Sequence, residues 1–227
     1  MGLFDAKAAG WPGKYGPGGP LSGRLALLSA AVGRHAKAGD RVLDLGCGTG
    51  ELSCRLAAGG LRVTGCDISR NMLLHAVGRD GAECRAWVRL APDWRSLPFK
   101  PATFDLVVAA SMLEYVVEPG AVLRECGRVL RPGGVVLYTV PDPRHPVRWA
   151  EWGARQLAAL AGPRSGPGRR TSWDRYRAYL RTSRQRHRLR WWLAVSDAAG
   201  LDPLPCPVPG TRSALRLLAF GRQAGQR

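Results

Sequence analysis

The sequence is poor in acidic residues and very poor in lysine. It has 34 Lys+Arg against 17 Asp+Glu, a formal net charge of +17 at pH 7, and only four of the basic residues are lysines, at positions 7, 14, 37 and 100. This excess admits an anionic partner such as nucleic acid, an acidic membrane surface or a phosphorylated substrate, without selecting one. Genomic base composition explains the arginine bias equally well. The excess belongs to residues 144–227, where 17 arginines and four acids give 17 − 4 = +13.

Several classes of site and targeting signal are absent. The six cysteines, at 47, 54, 66, 84, 126 and 206, form no C-x-x-C pair, and no Cys/His group has the spacing of zinc ligands. The N-terminus lacks a basic start followed by an apolar run, and no stretch of 18 apolar residues occurs. We therefore predict no transmembrane segment, and scattered free cysteines indicate a reducing, cytoplasmic compartment.

Residues 1–20 are rich in glycine and proline, with six glycines and three prolines. This composition argues against a regular element. Trp11 and Tyr15 are interspersed among these residues and favour an arm or lid laid over the domain. A disordered tail is the alternative.

From residue 21 onwards the hydrophobic pattern alternates between helix and strand. Apolar residues at 25, 28, 32 and 36 predict a helix over 21–36. Strand–helix alternation thereafter predicts a parallel sheet with helices on both faces. The predicted strands are Val42–Leu45, Arg62–Cys66, a segment within Cys84–Leu90, Phe104–Ala110 and Val135–Val140, and the predicted helices are Glu51–Ala58, Asn71–Val77 and Ala121–Leu130.

The last third of the sequence does not continue this strand–helix alternation. A loop over Gly162–Ser172 precedes a predicted helical stretch, Trp173–Gly200, and then two apolar runs. Helical spacing puts arginines 177, 181, 184 and 188 near one face. That face suits a phosphate, a carboxylate, an RNA backbone or anionic lipid, or it is simply solvated. Trp149 and Trp152 form either an apolar wall of a site or part of a helix packed on the sheet.

The most informative segment is the glycine-rich loop that follows the first strand. Residues 46–50 read G-x-G-x-G, and such a loop at the carboxyl end of a strand lets a ligand approach the backbone closely. Glu51 follows where a dinucleotide-binding loop would continue towards a third glycine, so that class is excluded. Asp44 favours a cationic or amine-bearing ligand. Asp67 ends the second strand and is suited to accept ribose hydroxyls, or else it caps the next helix.

These residues resemble the class I S-adenosylmethionine-dependent methyltransferases, and in particular the quinone-biosynthesis methyltransferase group. The resemblance covers about residues 40–143 and rests on five segments in order: VLDLGCGTG (42–50), VTGCDIS (63–69), DWRSLPF (93–99), FDLVVAASMLEYV (104–116) and VLRECGRVLRPGGVVLYTVPDP (122–143). It implies an α/β, Rossmann-like, doubly wound sheet, mostly parallel with an antiparallel C-terminal hairpin. It also divides the chain into a core (21–143), an Arg-rich substrate cover (144–192) and the last helix with closing strands (193–227).

The resemblance further implies a cofactor site for S-adenosylmethionine. Gly46, Cys47 and Gly48 would pass under its methionine part and Asp44 would hold its ammonium group. Asp67 would bind the ribose hydroxyls, and Ile68 and Met72 would pack against the adenine, although Met72 is a plain core residue in the alternative. Asp93 and the Trp94 backbone would hydrogen-bond to the adenine. Ala110, Ser111 and Met112 would lie near the reactive methyl group.

Candidates for a catalytic base follow the fourth and fifth strands, and we select Glu114, Tyr115 and His145. Relatives in the quinone-biosynthesis group often read E-x-x-E-H and bind a divalent metal here, whereas this chain reads Ser111-Met112-Leu113-Glu114-Tyr115. One of two carboxylates is missing and tyrosine replaces histidine. We therefore expect no metal site.

The resulting prediction is a methyltransferase that acts on an oxygen, nitrogen or carbon of a small, anionic or aromatic acceptor. The alternative is an RNA-directed methyltransferase or a non-catalytic nucleic-acid-binding protein on the same fold. No accessory RNA-binding domain is apparent, and the Asn/Asp-Pro-Pro-Tyr/Phe motif of enzymes that modify base nitrogens is absent after the fourth strand.

Overall fold

The structure is a computed structural model. It describes residues 2–16, 18–19, 21–79, 84, 86–92, 95–160, 180, 182–183, 185–205 and 214–223.

The described strands form one seven-stranded sheet in the order β3-β2-β1-β4-β5-β7-β6. Strands β1 to β5 are parallel, whereas β7 is antiparallel to both β5 and β6. This arrangement confirms the predicted Rossmann-like sheet with an antiparallel C-terminal hairpin. The strands are β1 (Arg41–Leu45), β2 (Arg62–Asp67), β3 (Ala86–Arg89), β4 (Phe104–Ala109), β5 (Leu130–Pro141), β6 (Leu201–Leu204) and β7 (Leu215–Arg222).

The helices of the described residues connect these strands and cover both faces. They are α1 (Gly2–Asp5), α2 (Ser22–Val32), α3 (Glu51–Ala58), α4 (Arg70–Val77), α5 (Pro119–Val129), α6 (Pro146–Leu160) and α7 (Leu189–Asp197), with 3₁₀ turns at Ala8–Gly10, Pro12–Lys14 and Leu113–Tyr115.

Alternate side chains of the central strands enter two separate hydrophobic cores. Along β4, Leu106 and Val108 pack in the cluster that includes α2 and α3, whereas Val107 and Ala109 pack in the cluster that includes α5 and α7. Successive strand residues point to opposite faces, so both faces of the sheet are covered by helices. All four side chains are fully buried, as expected of a central parallel strand.

Register aligns the carboxyl ends of the central strands. Asp44 lies beside Gly65 of β2 and Val108 of β4, and Ala109 lies beside Tyr138 of β5. The loops that leave β1, β2, β4 and β5 therefore meet at one edge, which is where open α/β sheets bind ligands.

Three of the secondary-structure predictions were wrong. Residues 1–20 contain regular elements after all, namely α1 and two 3₁₀ turns, because short turns tolerate a composition that longer helices do not. The fifth strand begins at Leu130 rather than Val135, with a register shift that absorbs the glycines at 133 and 134.

The third error concerns the predicted helix Trp173–Gly200. Leu180 and Thr182 are helical, residues 185–188 are not, and helix α7 then runs from Leu189 to Asp197. Gln185 explains the interruption, because its backbone N–H donates to the Glu114 carbonyl (3.2 Å) and its side-chain amide donates to the Val116 carbonyl (3.0 Å). Arg188 therefore does not extend a continuous helical arginine face, and positions 177, 181 and 184 lie outside the described residues.

Candidate functional site

The glycine loop takes the backbone through conformations that only glycine adopts easily. Gly46, Gly48 and Gly50 have φ angles of 77°, 57° and 82°. The N–H groups of Gly46 and Cys47 donate to the Cys66 carbonyl at 2.8 and 3.0 Å, which ties the start of the loop to β2. The loop therefore exposes backbone rather than side chains at the end of β1.

Asp67 fixes the same loop from the end of β2. Its Oδ2 accepts from the Gly48 N–H (2.9 Å) and its Oδ1 from the Ser69 N–H (2.8 Å). Burial raises the pKa of Asp67, and hydrogen bonds from the backbone N–H groups of Ser69, Gly48 and Ile68 oppose that shift. The N-cap of α4 is Ser69, whose Oγ accepts from Met72 N, so the capping alternative for Asp67 is wrong. A carboxylate has about four acceptor sites, so Asp67 keeps accepting capacity for a ligand hydroxyl.

Asp44 is a fully buried carboxyl group beside the loop. Its Oδ2 accepts from Ser53 Oγ at 2.5 Å. Burial is the main reason that its pKa rises to about 7, with Asp67 and Glu51 adding to the effect and Ser53 opposing it. Glu51 is itself engaged, because it accepts from the Thr49 hydroxyl and pairs with Arg79. A cationic ligand group beside Asp44 would favour its ionised form.

The N-terminal segment lies against the glycine loop and α4. Asp5 Oδ1 accepts from Ser69 Oγ at 2.5 Å. The Phe4 ring meets Tyr115 edge-on with 5.0 Å between centroids. A Cβ built on Gly48 would lie 3.5 Å from the Trp11 indole nitrogen, so any side chain there would enter the gap between loop and arm.

One cavity of about 1550 Å³ joins these elements. Apart from His145, every predicted site residue that the structure describes lines this cavity: Asp44, Gly46, Cys47, Gly48, Asp67, Ile68, Met72, Ala110, Ser111, Met112, Glu114 and Tyr115. Its volume exceeds that of a pocket for one drug-sized molecule, so it has room for a cofactor and an acceptor together. Asp93 and Trp94 lie outside the described residues.

The carboxyl ends of β4 and β5 form the far part of this cavity. Ser111 has a φ of 54°, a left-handed conformation that is unusual outside glycine. Its backbone N–H donates to Thr139 Oγ1 at 2.8 Å. Arg24 of α2 reaches both residues, donating from Nη2 to Ser111 Oγ and, at 3.3 Å, to Thr139 Oγ1. Neither Arg24 nor Thr139 was predicted from the sequence.

Glu114 is a buried acid at the cavity, only 4% exposed. Ser183 Oγ donates to its Oε2 at 2.9 Å. Burial raises the pKa of Glu114, against the opposing effects of Ser183 and of the charges of Arg148, Arg186 and Arg24. Arg148 and Arg186 both pair with Glu151, which also lines the cavity, so charged groups of α6 point inward.

His145 and the two tryptophans considered for the site, Trp149 and Trp152, lie away from the cavity lining. His145 precedes α6, and its Nδ1 accepts from the Val147 N–H at 3.3 Å. Trp149 and Trp152 are on α6 but are 71% and 65% exposed, so neither the apolar-wall nor the sheet-packing interpretation holds for them.

No helix within the described ranges is long and apolar enough to cross a membrane.

Comparison with known families identifies the central part of the chain. Residues 43–138 match the family described as "Methyltransferase domain". The chain is 42% identical over 107 residues to a malonyl-[acyl-carrier protein] O-methyltransferase from Erwinia pyrifoliae, covering 46% of this chain and 39% of that protein. It is 34% identical over 145 residues to a ubiquinone biosynthesis O-methyltransferase from Idiomarina loihiensis, covering 60% and 57%. The chain thus spans about half the length of the curated relatives it matches.

Solved structures extend the likeness of fold to nearly the whole chain. A chain of the complex between the Haloferax volcanii Trm112 methyltransferase activator and a methyltransferase superposes with a TM-score of 0.68 and 22% identity. The match covers 97% of this chain and 98% of that one. At this level of identity the comparison establishes the fold alone.

Proposed function

We propose that this chain, which belongs to the class I S-adenosylmethionine-dependent methyltransferases, transfers a methyl group from S-adenosylmethionine to a small-molecule acceptor. The observation that carries the proposal is the hydrogen-bonded unit of the glycine loop and Asp67 at the mouth of one large cavity. The named activities of the curated relatives support an oxygen acceptor. They do not favour the nucleic-acid alternative.

The residues present suit this cofactor. Exposed backbone at Gly46 and Gly48 would accommodate the methionine part, and the buried carboxyl of Asp44 would attract its ammonium group. Asp67 would accept from the ribose hydroxyls through its remaining lone pairs. Ile68 and Met72 would pack against the adenine ring, at the cavity wall that they already line.

When bound, the cofactor supplies an electrophilic methyl group on a sulfonium. The protein's task is then to hold the acceptor in line and to exclude water. The N-terminal segment would serve the second purpose, with Trp11 next to Gly48 and Phe4 packed against Tyr115. Ala110, Ser111 and Met112 would border the reacting atoms at the end of β4.

Glu114 and Tyr115 would contact the acceptor beyond the methyl group. Burial raises the pKa of Glu114, so this carboxyl would serve as the base for an acceptor that enters the cavity protonated, whereas an acceptor that enters ionised would need no base. His145 is not part of this proposal, because it does not reach the cavity lining. The thiols of the five described cysteines are free, which supports a cytoplasmic setting.

Calorimetry tests the cofactor assignment directly. S-adenosylhomocysteine should bind the purified protein, and NAD should not, because Glu51 replaces the continuation of a dinucleotide loop. Binding of NAD without any response to S-adenosylhomocysteine would refute the proposal. An acceptor screen with metabolites of neighbouring pathway enzymes would then identify the substrate.

A further inference from the structure

The arginines that line the cavity differ in whether a carboxylate pairs with them. Arg95 pairs with Glu118, Arg148 with Glu151 and Arg216 with Asp142. Arg24 is the exception among the described arginines of the cavity, because it donates to the neutral hydroxyls of Ser111 and Thr139 and forms no salt bridge with a described carboxylate. Its positive charge is half-buried at the cavity.

Hydrogen bonds to two hydroxyl groups fix the position of the Arg24 charge in the cavity. Ser111 lies two residues beyond the end of β4, and Thr139 lies two residues before the end of β5. The Ser111 N–H donates to the Thr139 hydroxyl, and the two hydroxyls lie 3.3 Å apart. Ser111 adopts its left-handed conformation to do so, and non-glycine residues in that region concentrate at functional sites. The guanidinium of Arg24 is therefore anchored at the end of β4, where the proposed function puts the reactive methyl group.

Arg24 also acts on other groups of the cavity. Its charge lowers the pKa of both Tyr15 and Glu114 relative to what burial alone would produce. An anion that entered the cavity near Ser111 would experience the same attraction, which is stronger between partly buried groups than between groups in bulk water. A guanidinium with donors to spare is well suited to bind a carboxylate or another ionised oxygen.

We infer that the acceptor of this enzyme is an oxyanion, and that Arg24 binds the ionised oxygen group that becomes methylated. This inference rests on the proposed function and names its substrate class. One acceptor oxygen pairs with the Arg24 guanidinium while an oxygen of the same group, a second carboxylate oxygen or a remaining lone pair, attacks the methyl carbon. The oxygen–carbon bond forms as the carbon–sulfur bond breaks.

The charges of the two reactants explain why this chain can act without the carboxylates, histidine and metal of the E-x-x-E-H pattern. The oxyanion contributes its negative charge and the sulfonium its positive charge, so the products are a neutral ester or ether and a neutral thioether. No proton leaves the acceptor during transfer, since the acceptor arrives ionised. Anion recognition is then assigned to α2 in the N-terminal part of the chain, rather than to the arginines of the last third.

The test uses the full chain, S-adenosylmethionine and two sets of defined acceptors. One set pairs aliphatic and aromatic carboxylic acids with their primary amides, and the other pairs 4-nitrophenol with 4-nitrobenzyl alcohol. Methyl products are measured by mass spectrometry. We expect methylation of anionic oxygens and none of the neutral counterparts, and the set that reacts distinguishes a carboxylate from a phenolate acceptor.

Variants then assign the effect to Arg24. Arg24→Gln should lower kcat/KM for the anionic acceptor by about tenfold to hundredfold, as expected for a lost charged hydrogen bond. Arg24→Lys should restore part of the loss, and affinity for S-adenosylhomocysteine should not change in either variant. Arg55→Gln, which removes an exposed charge on α3, is the matched control and should behave as the parent.

A pH profile separates anion binding from mere support of Ser111 and Thr139. With 4-nitrophenol, Arg24→Gln should shift the rise of kcat to higher pH, because kcat reports ionisation in the bound complex and the bound phenolate loses its counter-charge. The inference is overturned by an unshifted profile together with an unchanged KM, by methylation of neutral acceptors only, or by a protein that binds S-adenosylhomocysteine yet methylates no member of either anionic set. Loss of S-adenosylhomocysteine binding in the parent protein would instead refute the proposed function.

Discussion

Gly48 and Asp67 are joined by a hydrogen bond of 2.9 Å from the Gly48 N–H to Asp67 Oδ2. The bond links the loop after β1 to the end of β2, 19 residues along the chain. The two parts of the proposed cofactor site are therefore held at a fixed separation before any ligand binds. Such preorganisation reduces the entropy that binding must otherwise overcome.

Replacing Asp67 should weaken cofactor binding. Asp67→Ala removes the acceptor proposed for the ribose hydroxyls and also frees the Gly48 N–H, so we expect at least a tenfold loss of S-adenosylhomocysteine affinity, about 1.4 kcal/mol. Calorimetry measures the affinity and circular dichroism checks the fold. Asp197→Ala, at an exposed position in the last turn of α7, is the control. Unchanged affinity in a folded Asp67→Ala protein would limit Asp67 to a role in loop structure.

Asp44 should make the cofactor-free protein less stable as the pH rises towards neutrality. Its pKa is raised from 3.8 to about 7 by burial, so between these values the folded state holds a proton that the unfolded state has released. The free energy of unfolding should therefore fall as pH rises from about 4 to about 7 on account of this group. Above pH 7 its contribution is constant.

Asp44→Asn cannot titrate and should flatten that part of the profile, as measured by urea denaturation at a series of pH values. Asp197→Asn, an exposed acid, should leave the parent's profile unaltered. A parent and an Asp44→Asn protein with the same slope between pH 4 and pH 7 would mean that Asp44 is ionised throughout in the folded state.

Gly65 should resist substitution for a steric reason. A Cβ there would lie 2.4 Å from Trp87 Cζ3 and 2.6 Å from Cε3, so either ring or strand must move. We expect Gly65→Ala to reduce the free energy of unfolding by about 1–3 kcal/mol, the usual cost of overpacking.

Two further proteins make the Gly65 result interpretable. In a Trp87→Leu background the same substitution should cost less, because the overlapping ring is gone. Gly153→Ala, in α6 where a new Cβ meets nothing within 4 Å, should be neutral or stabilising. Equal costs in both backgrounds would exclude Trp87 as the cause.

Methyl transfer should need no divalent metal. Around Glu114 the chain lacks the second carboxylate and the histidine of the metal-binding relatives, and Glu114 itself is engaged with Ser183. Activity should therefore be unaffected by a chelator such as EDTA. Loss of activity with EDTA, followed by recovery on addition of magnesium, would contradict this expectation.

Local sequence determined the fold class and the cofactor side of the cavity. Hydrophobic periodicity is a property of neighbouring residues, so the strands and helices of residues 41–141 could be predicted to within a few positions. The glycines at 46, 48 and 50 follow the same logic, since their positive φ angles are a local requirement of the turn. The parallel alignment of strands then brings Asp44 and Asp67 to one edge without further information.

Only the tertiary structure decided which side chains meet on the acceptor side of the cavity. Arg24 meets Ser111 across 87 residues of sequence, and Ser183 meets Glu114 across 69. No periodic pattern encodes such pairs, because they depend on where α2 and the segment before α7 pack against the sheet. The same long-range bonding interrupts the helical stretch predicted over 173–200, since the hydrogen bonds of Gln185 to the loop after β4 outweigh local helix propensity just before α7.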